Sequence, residues 1–398
     1  TPFAGTKLSG TVTARYLFGA PIGIRPVSWT FSKSPGFDAP PAIRNKYPED
    51  RWLFVGWSER VPGQTGQIRR EETKLAKTGD LALSLETKRD AGLPYIYTLE
   101  GDVEDVSRQH IANRASFTVH PAPWYIGVRR PSYFLEQKNG LKTEVVAIGL
   151  DGSAAPGVPV EITLTQVQWQ SVRRAEGNGF YTWETERKEV PAGSWKVTTG
   201  ADPVALDIPF AAGGYYLLEA KGTTADGRFA VTRTSFYVLG DGYTAWARFD
   251  HNRIDLVPER KTYRPGETAR IMIQSPWERA TALVTTERES VRTHRTFTLD
   301  STQQSISIPI TENEIPNVFV SVLLVKGRTQ ATTTGDPKPE DADTSDPGKP
   351  AFRLGYVELK IEDRTKRLTV AVAADQTEYR PAKNASVRLA VADHQGRG

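Results

Sequence analysis

Asp255-Leu256-Val257-Pro258-Glu259-Arg260-Lys261-Thr262-Tyr263-Arg264-Pro265-Gly266-Glu267-Thr268-Ala269-Arg270-Ile271-Met272-Ile273 joins a turn to a strand. Pro265 presets φ at the first corner of a β-turn, and Gly266 allows the positive φ that the second corner of a type II turn requires. From Ala269 to Ile273 the apolar side chains alternate, and a period of two sends successive side chains to opposite faces of a sheet. The pattern returns in Asp375-Gln376-Thr377-Glu378-Tyr379-Arg380-Pro381-Ala382-Lys383-Asn384-Ala385-Ser386-Val387, where Ala382 in place of glycine favours a type I turn. A turn-and-strand unit that repeats predicts tandem modules.

The same alternation runs outward through the chain, in Leu8 to Tyr16, Val158 to Leu164, Leu368 to Val372 and the strand Val318 to Val325. Turn residues recur about every ten residues, the spacing of an all-β sandwich. Helical periodicity is scarce, and Val106 to Arg114 is the best candidate for a short turn of helix. The 398 residues, with 27 Pro and 33 Gly and no three-residue period, exceed one compact core and predict several domains. Exit strands at Phe117–His120 and Ser235–Leu239 run into Pro121 and Gly240. They bound β-sandwiches at 1–121 and 122–239, with a third at 240–330.

Between Ala331 and Pro350 the composition changes. Asp336, Glu340, Asp341, Asp343 and Asp346 face only Lys338 and Lys349, prolines punctuate the run, and little apolar surface is left to offset the entropy of ordering it. This reads as a flexible acidic linker, followed by a partial, truncated domain at 351–398. The absence of cysteine excludes thiolate nucleophiles, disulfides and Cys-ligated zinc. Fifty-one Lys and Arg against 47 Asp and Glu are scattered, which argues against a nucleic-acid grip. No apolar run reaches about 18 residues, so no membrane-spanning helix is expected, and any export signal is expected upstream or already removed.

Together these signatures resemble the macroglobulin-like domains of bacterial alpha-2-macroglobulins. The resemblance is carried by Tyr263-Arg264-Pro265-Gly266-Glu267, by Ser275-Pro276-Trp277 through Arg288, by Ile308-Pro309-Ile310 with Ile315 to Val322, and by Gly355 to Leu359 leading to Tyr379-Arg380-Pro381. Arg15-Tyr16-Leu17-Phe18-Gly19-Ala20-Pro21 with Val27-Ser28-Trp29 is similar to the opening of a mid-chain domain of that family. The resemblance implies tandem antiparallel, fibronectin III-like β-sandwiches forming a scaffold around a bait segment. A protease cleaves the bait and is trapped, in many members with covalent capture by a Cys-Gln thioester. It further implies a periplasmic protein, inner-membrane anchored if at all through upstream sequence. Its partners would be host or competitor proteases met by the full-length protein, and this chain would lie ahead of the bait region and the thioester domain.

No motif argues for an enzyme. Phe134-Leu135-Glu136-Gln137 imitates the thioester motif but has Phe where the sulfur must stand. His110, His120, His251, His294 and His394 show no ligand spacing, and Asp250-His251 lacks a nucleophile context. Gly177-Asn178-Gly179 lacks the remainder of a phosphate-binding loop, and the 331–350 run lacks the alternating ligands of a calcium loop. The expectation is therefore no catalytic, cofactor-binding or metal-binding residue, no cofactor, no nucleic acid and no membrane contact by this chain. Two other classes stay open. A multi-module adhesin or carbohydrate-binding protein needs an exposed row such as Trp52, Trp57, Trp169 and Trp183, and a β-sandwich glycosidase needs two opposed carboxylates in a cleft.

Overall fold

The computed structural model describes residues 1–56, 65–89, 92–175, 181–240, 244, 246, 251–329, 350–363, 368–380 and 384–398. Apart from a six-residue helix, Pro41–Lys46, and two 3-10 turns, its regular elements are β-strands. All strand pairs with a described register are antiparallel except Thr262–Tyr263 with Ala351–Ile361. The fold is all-β and built of antiparallel sandwiches, as the alternation predicts. The residues gather into two compact units, Thr1–Pro131 with Leu135–Gln168 and Lys188–Val238, and Ser132–Phe134 with Trp169–Arg187 and Leu239–Gly398.

In the first unit, a four-stranded sheet in the order Gly66–Lys74, Pro26–Pro35, Tyr95–Glu104, His110–Val119 is opposed by the pair Lys7–Thr13 and Asp80–Glu86. Trp29, Phe31 and Leu99 point between the layers and meet Val12, Leu81, Leu83 and Leu85. Val106 to Arg114 is not helical. Asp105 Oδ1 accepts from the amides of Ser107 and Gln109, Arg108 takes φ +63°, and the chain reverses into the strand His110–Val119. A short Asp-led turn outweighs weak helix propensity here because both flanks are alternating strands.

Most of a second sandwich lies in the same unit. Its four-stranded sheet runs Val204–Ile208, Leu141–Gly149, Trp124–Arg129, Trp52–Phe54, and its five-stranded sheet runs Tyr181–Thr198, Pro159–Ala175, Gly214–Thr223, Phe229–Leu239, Phe134–Glu136. Ile126, Val145, Ile162, Leu164, Ile208, Leu218 and Phe236 fill the space between them. Trp52–Phe54, from the first 121 residues, forms the edge of this sheet by pairing with Trp124–Arg129. Buried Thr232 fixes the junction: its hydroxyl accepts from Val55 N at 3.1 Å and donates to the Ile126 carbonyl at 2.5 Å.

In the second unit, Thr262–Tyr263, Ala351–Ile361, Asn317–Lys326, Ala280–Arg288 and Ser290–Leu299 form one sheet, and Leu256–Pro258, Thr268–Ile273 and Ser305–Pro309 form the other. Ile271, Ile273, Ala282, Val284, Val318, Val320, Val322 and Leu324 are the centre of its core, each at most 2% exposed. Ala351–Ile361 pairs along its whole length with Asn317–Lys326, so the strand after the acidic segment contributes Leu359 and Ile361 to this core. A hairpin, Thr369–Ala374 with Val387–Ala392, follows.

Candidate functional site

The Tyr-Arg-Pro turn that marks the repeat is also the best-defined polar cluster in the second unit. Glu267 N donates to the Arg264 carbonyl at 3.1 Å, closing the four-residue turn, and Gly266 sits at φ +88° as a type II turn demands. Gly266 N also donates to the Ile310 carbonyl at 2.8 Å, tying the turn to the opposing strand. Glu267 folds back over it: one carboxylate oxygen accepts from Arg264 N at 2.9 Å and the other from Arg260 Nη1 at 3.2 Å. Burial works against the charged carboxylate, but these donors and the two nearby guanidinium groups outweigh it and hold the Glu267 carboxyl below its usual range. Arg264 reaches onward to Glu362 at 3.2 Å.

Tyr263, 1% exposed, carries the turn into the core. Its hydroxyl accepts from Arg260 N at 3.2 Å, and burial pushes the phenol up to about 12. The same bracing occurs in the second copy. Tyr379 OH accepts from Gln376 N at 3.0 Å, three residues upstream as in the first copy. Asp375 N donates to the Ser386 carbonyl at 3.0 Å where Glu259 N donates to the Arg270 carbonyl at 2.9 Å. The repeat seen in the sequence is thus a repeat of hydrogen bonds. Pro381 and Ala382 lie outside the described residues. Tyr379 is 37% exposed, as are Val370, Val372, Leu389 and Val391 of its hairpin at 47–66%.

The other motifs separate when placed in space. Phe134, 2% exposed, lies under the Arg270 guanidinium at 5.2 Å, and Gln137 Nε2 donates to the Ala211 carbonyl at 2.9 Å. His120 Nδ1 faces Tyr125 OH at 2.7 Å, and burial lowers the imidazole and raises the phenol. His110 pairs with Asp102 at 3.2 Å on an exposed strand, and His294 and His394 are exposed. Asp250, Gly177-Asn178-Gly179, Trp57 and residues 331–349 lie outside the described residues, and nothing is described of the Trp183 side chain. Trp52 is 6% exposed and is packed in the core by Tyr47, with ring centroids at 5.4 Å. Every tryptophan with a described side chain is buried or half-buried. Among the described residues no three His, Asp or Glu side chains converge as metal ligands, and no helix is long and apolar enough to cross a membrane.

The turn, the third sandwich and the hairpin fall within residues 254–396, which match the family described as the alpha-2-macroglobulin bait region domain. Over that stretch the chain is similar to the alpha-2-macroglobulin family. Alpha-2-macroglobulin homologs are among its relatives. One, from Nostoc sp., is 22% identical over 395 residues, covering 99% of this chain and 20% of the relative. Another, from Deinococcus radiodurans, is 24% identical over 271 residues, covering 67% of this chain and 25% of the relative. Native Escherichia coli alpha-2-macroglobulin, a solved structure, is 16% identical, with a TM-score of 0.45 over all of this chain and 24% of its own. The chain therefore spans about a fifth to a quarter of the alpha-2-macroglobulin relatives it matches. The family match also falls on residues that the sequence reading set ahead of the bait region, so 254–396 belong to the domain named for the bait.

What sequence reasoning missed is the role of the tyrosine. The signal was a Tyr at the same position in both copies, and its meaning is the brace from the hydroxyl to the amide three residues upstream.

Proposed function

We propose that this chain is a structural scaffold segment of an alpha-2-macroglobulin-like broad-spectrum protease inhibitor that works in the periplasm. It carries no catalytic residue of its own. The observation that carries the reading is the family match over 254–396, which covers a complete sandwich and the hairpin after it. In this reading the packed sandwiches act as rigid bodies. Cleavage of a bait shifts the balance between two arrangements of those bodies, and the protease is enclosed. The partners are proteases, met by the longer protein. The acidic run 331–350 is a connector joining two strands of one sheet, Asn317–Lys326 and Ala351–Ile361.

A second reading of that run has its own support, because 331–349 lie inside the stretch matching the bait region domain. In that reading the run is itself the cleaved trigger. The adhesin reading calls for an exposed row of tryptophans; of the four, Trp52 is buried and Trp169 half-buried, and the side chains of Trp57 and Trp183 lie outside the described residues.

Mixing the isolated chain with trypsin tests the scaffold reading. Cleavage of both a large protein and a small peptide substrate should continue unchanged. Stoichiometric loss of both activities would make this chain an active-site inhibitor instead.

A further inference from the structure

After the strand His110–Val119 the chain leaves the first sandwich by way of His120, Pro121, Ala122 and Pro123 and enters the second at Trp124–Arg129. His120 and Tyr125 stand at the two ends of that crossing and meet across it, Nδ1 to hydroxyl at 2.7 Å. The crossing is held from its other side as well. Ala4 N donates to the His120 carbonyl at 2.8 Å, and His120 N donates to the Pro2 carbonyl at 3.0 Å. Tyr125 is 2% exposed and shares a core with Tyr95, Tyr97 and Val119 of the first sandwich and Val146 and Ile148 of the second. Its hydroxyl is therefore sealed where the two sandwiches meet.

A sealed phenol must place its hydrogen on an acceptor or leave it unpaired at a cost. Burial keeps that hydrogen on Tyr125, and among the described residues His120 Nδ1 is the hydroxyl's one partner. With the imidazole neutral and its hydrogen on Nε2, Nδ1 accepts from the phenol and both groups are satisfied. A second proton turns Nδ1 into a donor. The phenol oxygen must then accept, its own hydrogen is stranded in the core, and a charge appears on a half-buried ring. The surrounding charges do not relieve it. Arg228 lies over the Phe3 ring at 5.7 Å, and that ring stands 6.4 Å from the imidazole. Lys88 and Arg89 line a small cavity with Ala4, Val119 and Pro121. Asp226, the carboxylate among these groups, is already shared by Arg228 at 3.0 Å and Arg89 at 4.0 Å.

We propose that His120 and Tyr125 are an acid-released latch on this crossing: the neutral imidazole holds the first and second sandwiches in one arrangement, and its protonation frees the crossing to move. Burial holds the imidazole below its ordinary value of 6.5, and the Thr1 amine adds to the effect. A base held low in the fold stabilises fully above 6.5, and that stabilisation is lost as pH falls from there through the folded value. The inference stands on the junction alone and holds whether or not the longer protein traps proteases.

The test is NMR on the whole chain between about pH 7.5 and about pH 5, the range in which an imidazole changes charge. It reads the His120 imidazole titration and the exchange protection of the Ala4 and His120 amides, each referred to its intrinsic rate at that pH. The imidazole should titrate below 6.5, and protection of both amides should fall with pH by up to about tenfold for each unit of that lowering. Phe31 in the first sandwich and Val145 in the second should keep their protection. His120→Gln retains a group that can meet the phenol but does not titrate, and should hold protection level across the range. Tyr125→Phe removes the hydrogen that protonation strands, and should raise the imidazole titration toward 6.5. Acetylating the Thr1 amine should leave the response in place. A wild-type imidazole titrating at 6.5 or higher, an equal loss of protection in His120→Gln, or a response that disappears on acetylation would overturn the proposal. So would loss of protection at Phe31 and Val145 in step with Ala4 and His120, which is acid unfolding of the unit and not release of the crossing.

Discussion

Replacing Gly266 with valine isolates a backbone cost. The residue sits at φ +88°, and a Cβ built on it would have nothing within 4 Å, so no neighbour has to move. What remains is the penalty an L-residue meets in left-handed backbone, about 1–2 kcal/mol, rising to about 1–3 kcal/mol for a β-branched side chain. Gly266→Val should therefore destabilise the second unit by about 1–3 kcal/mol. Gly266→Asn should cost well under half of that, because asparagine visits positive φ readily. Urea titration followed by exchange protection of the Ile271 and Val320 amides reads this unit separately from the first. Gly127→Ala is the steric counterpart. Its Cβ would lie 2.5 Å from Phe54 Cζ and 2.7 Å from Val146 Cγ2, so it should destabilise the first unit although its φ is not positive. If Gly266→Val leaves protection unchanged, or if asparagine costs as much as valine, the type II turn is not what holds this position.

Thr232→Val should destabilise the first unit by about 1–3 kcal/mol, since the Val55 amide and the Ile126 carbonyl lose the hydroxyl they share in a buried junction, and Thr232→Ser should recover most of the loss. Calorimetry of the three proteins checks it. Glu267 has a lowered carboxyl pKa in the folded state, so its stabilisation is fully present above the usual value of 4.5 and is lost as pH falls through the lower folded value. Glu267→Gln should accordingly weaken the second unit at pH 7, and the gap to wild type should close under acid, as urea midpoints across that range would record. Limited proteolysis should cut first between Ala331 and Pro350, whose acidic, proline-punctuated sequence has little to bury, with mass spectrometry locating the cut. A first cut inside a sandwich would remove the linker assignment.

Local features were legible in the sequence where one residue settles the backbone. Gly266 predicts its positive φ, and alternation from Ala269 to Ile273 predicts a strand with a buried face, seen as Thr268–Ile273. Features set by distant partners were not. Trp52–Phe54 is too short for its pattern to reveal which sheet it joins, and its partner Trp124–Arg129 lies far along the chain. The same holds for Ala351–Ile361, whose pairing reaches back across the acidic run to Asn317–Lys326. The Pro41–Lys46 helix, with Pro at its start and Ile43 as its one buried residue, spans too few turns to show helical periodicity.

The trap reading is tested most directly on the longer protein that carries this chain, incubated with trypsin and offered a large protein and a small peptide substrate together. Cleavage of the large substrate should fall sharply after the trypsin has cut the bait, while peptide cleavage continues, because the enzyme is enclosed with its active site free. Unchanged cleavage of the large substrate, with the bait demonstrably cut, would contradict it.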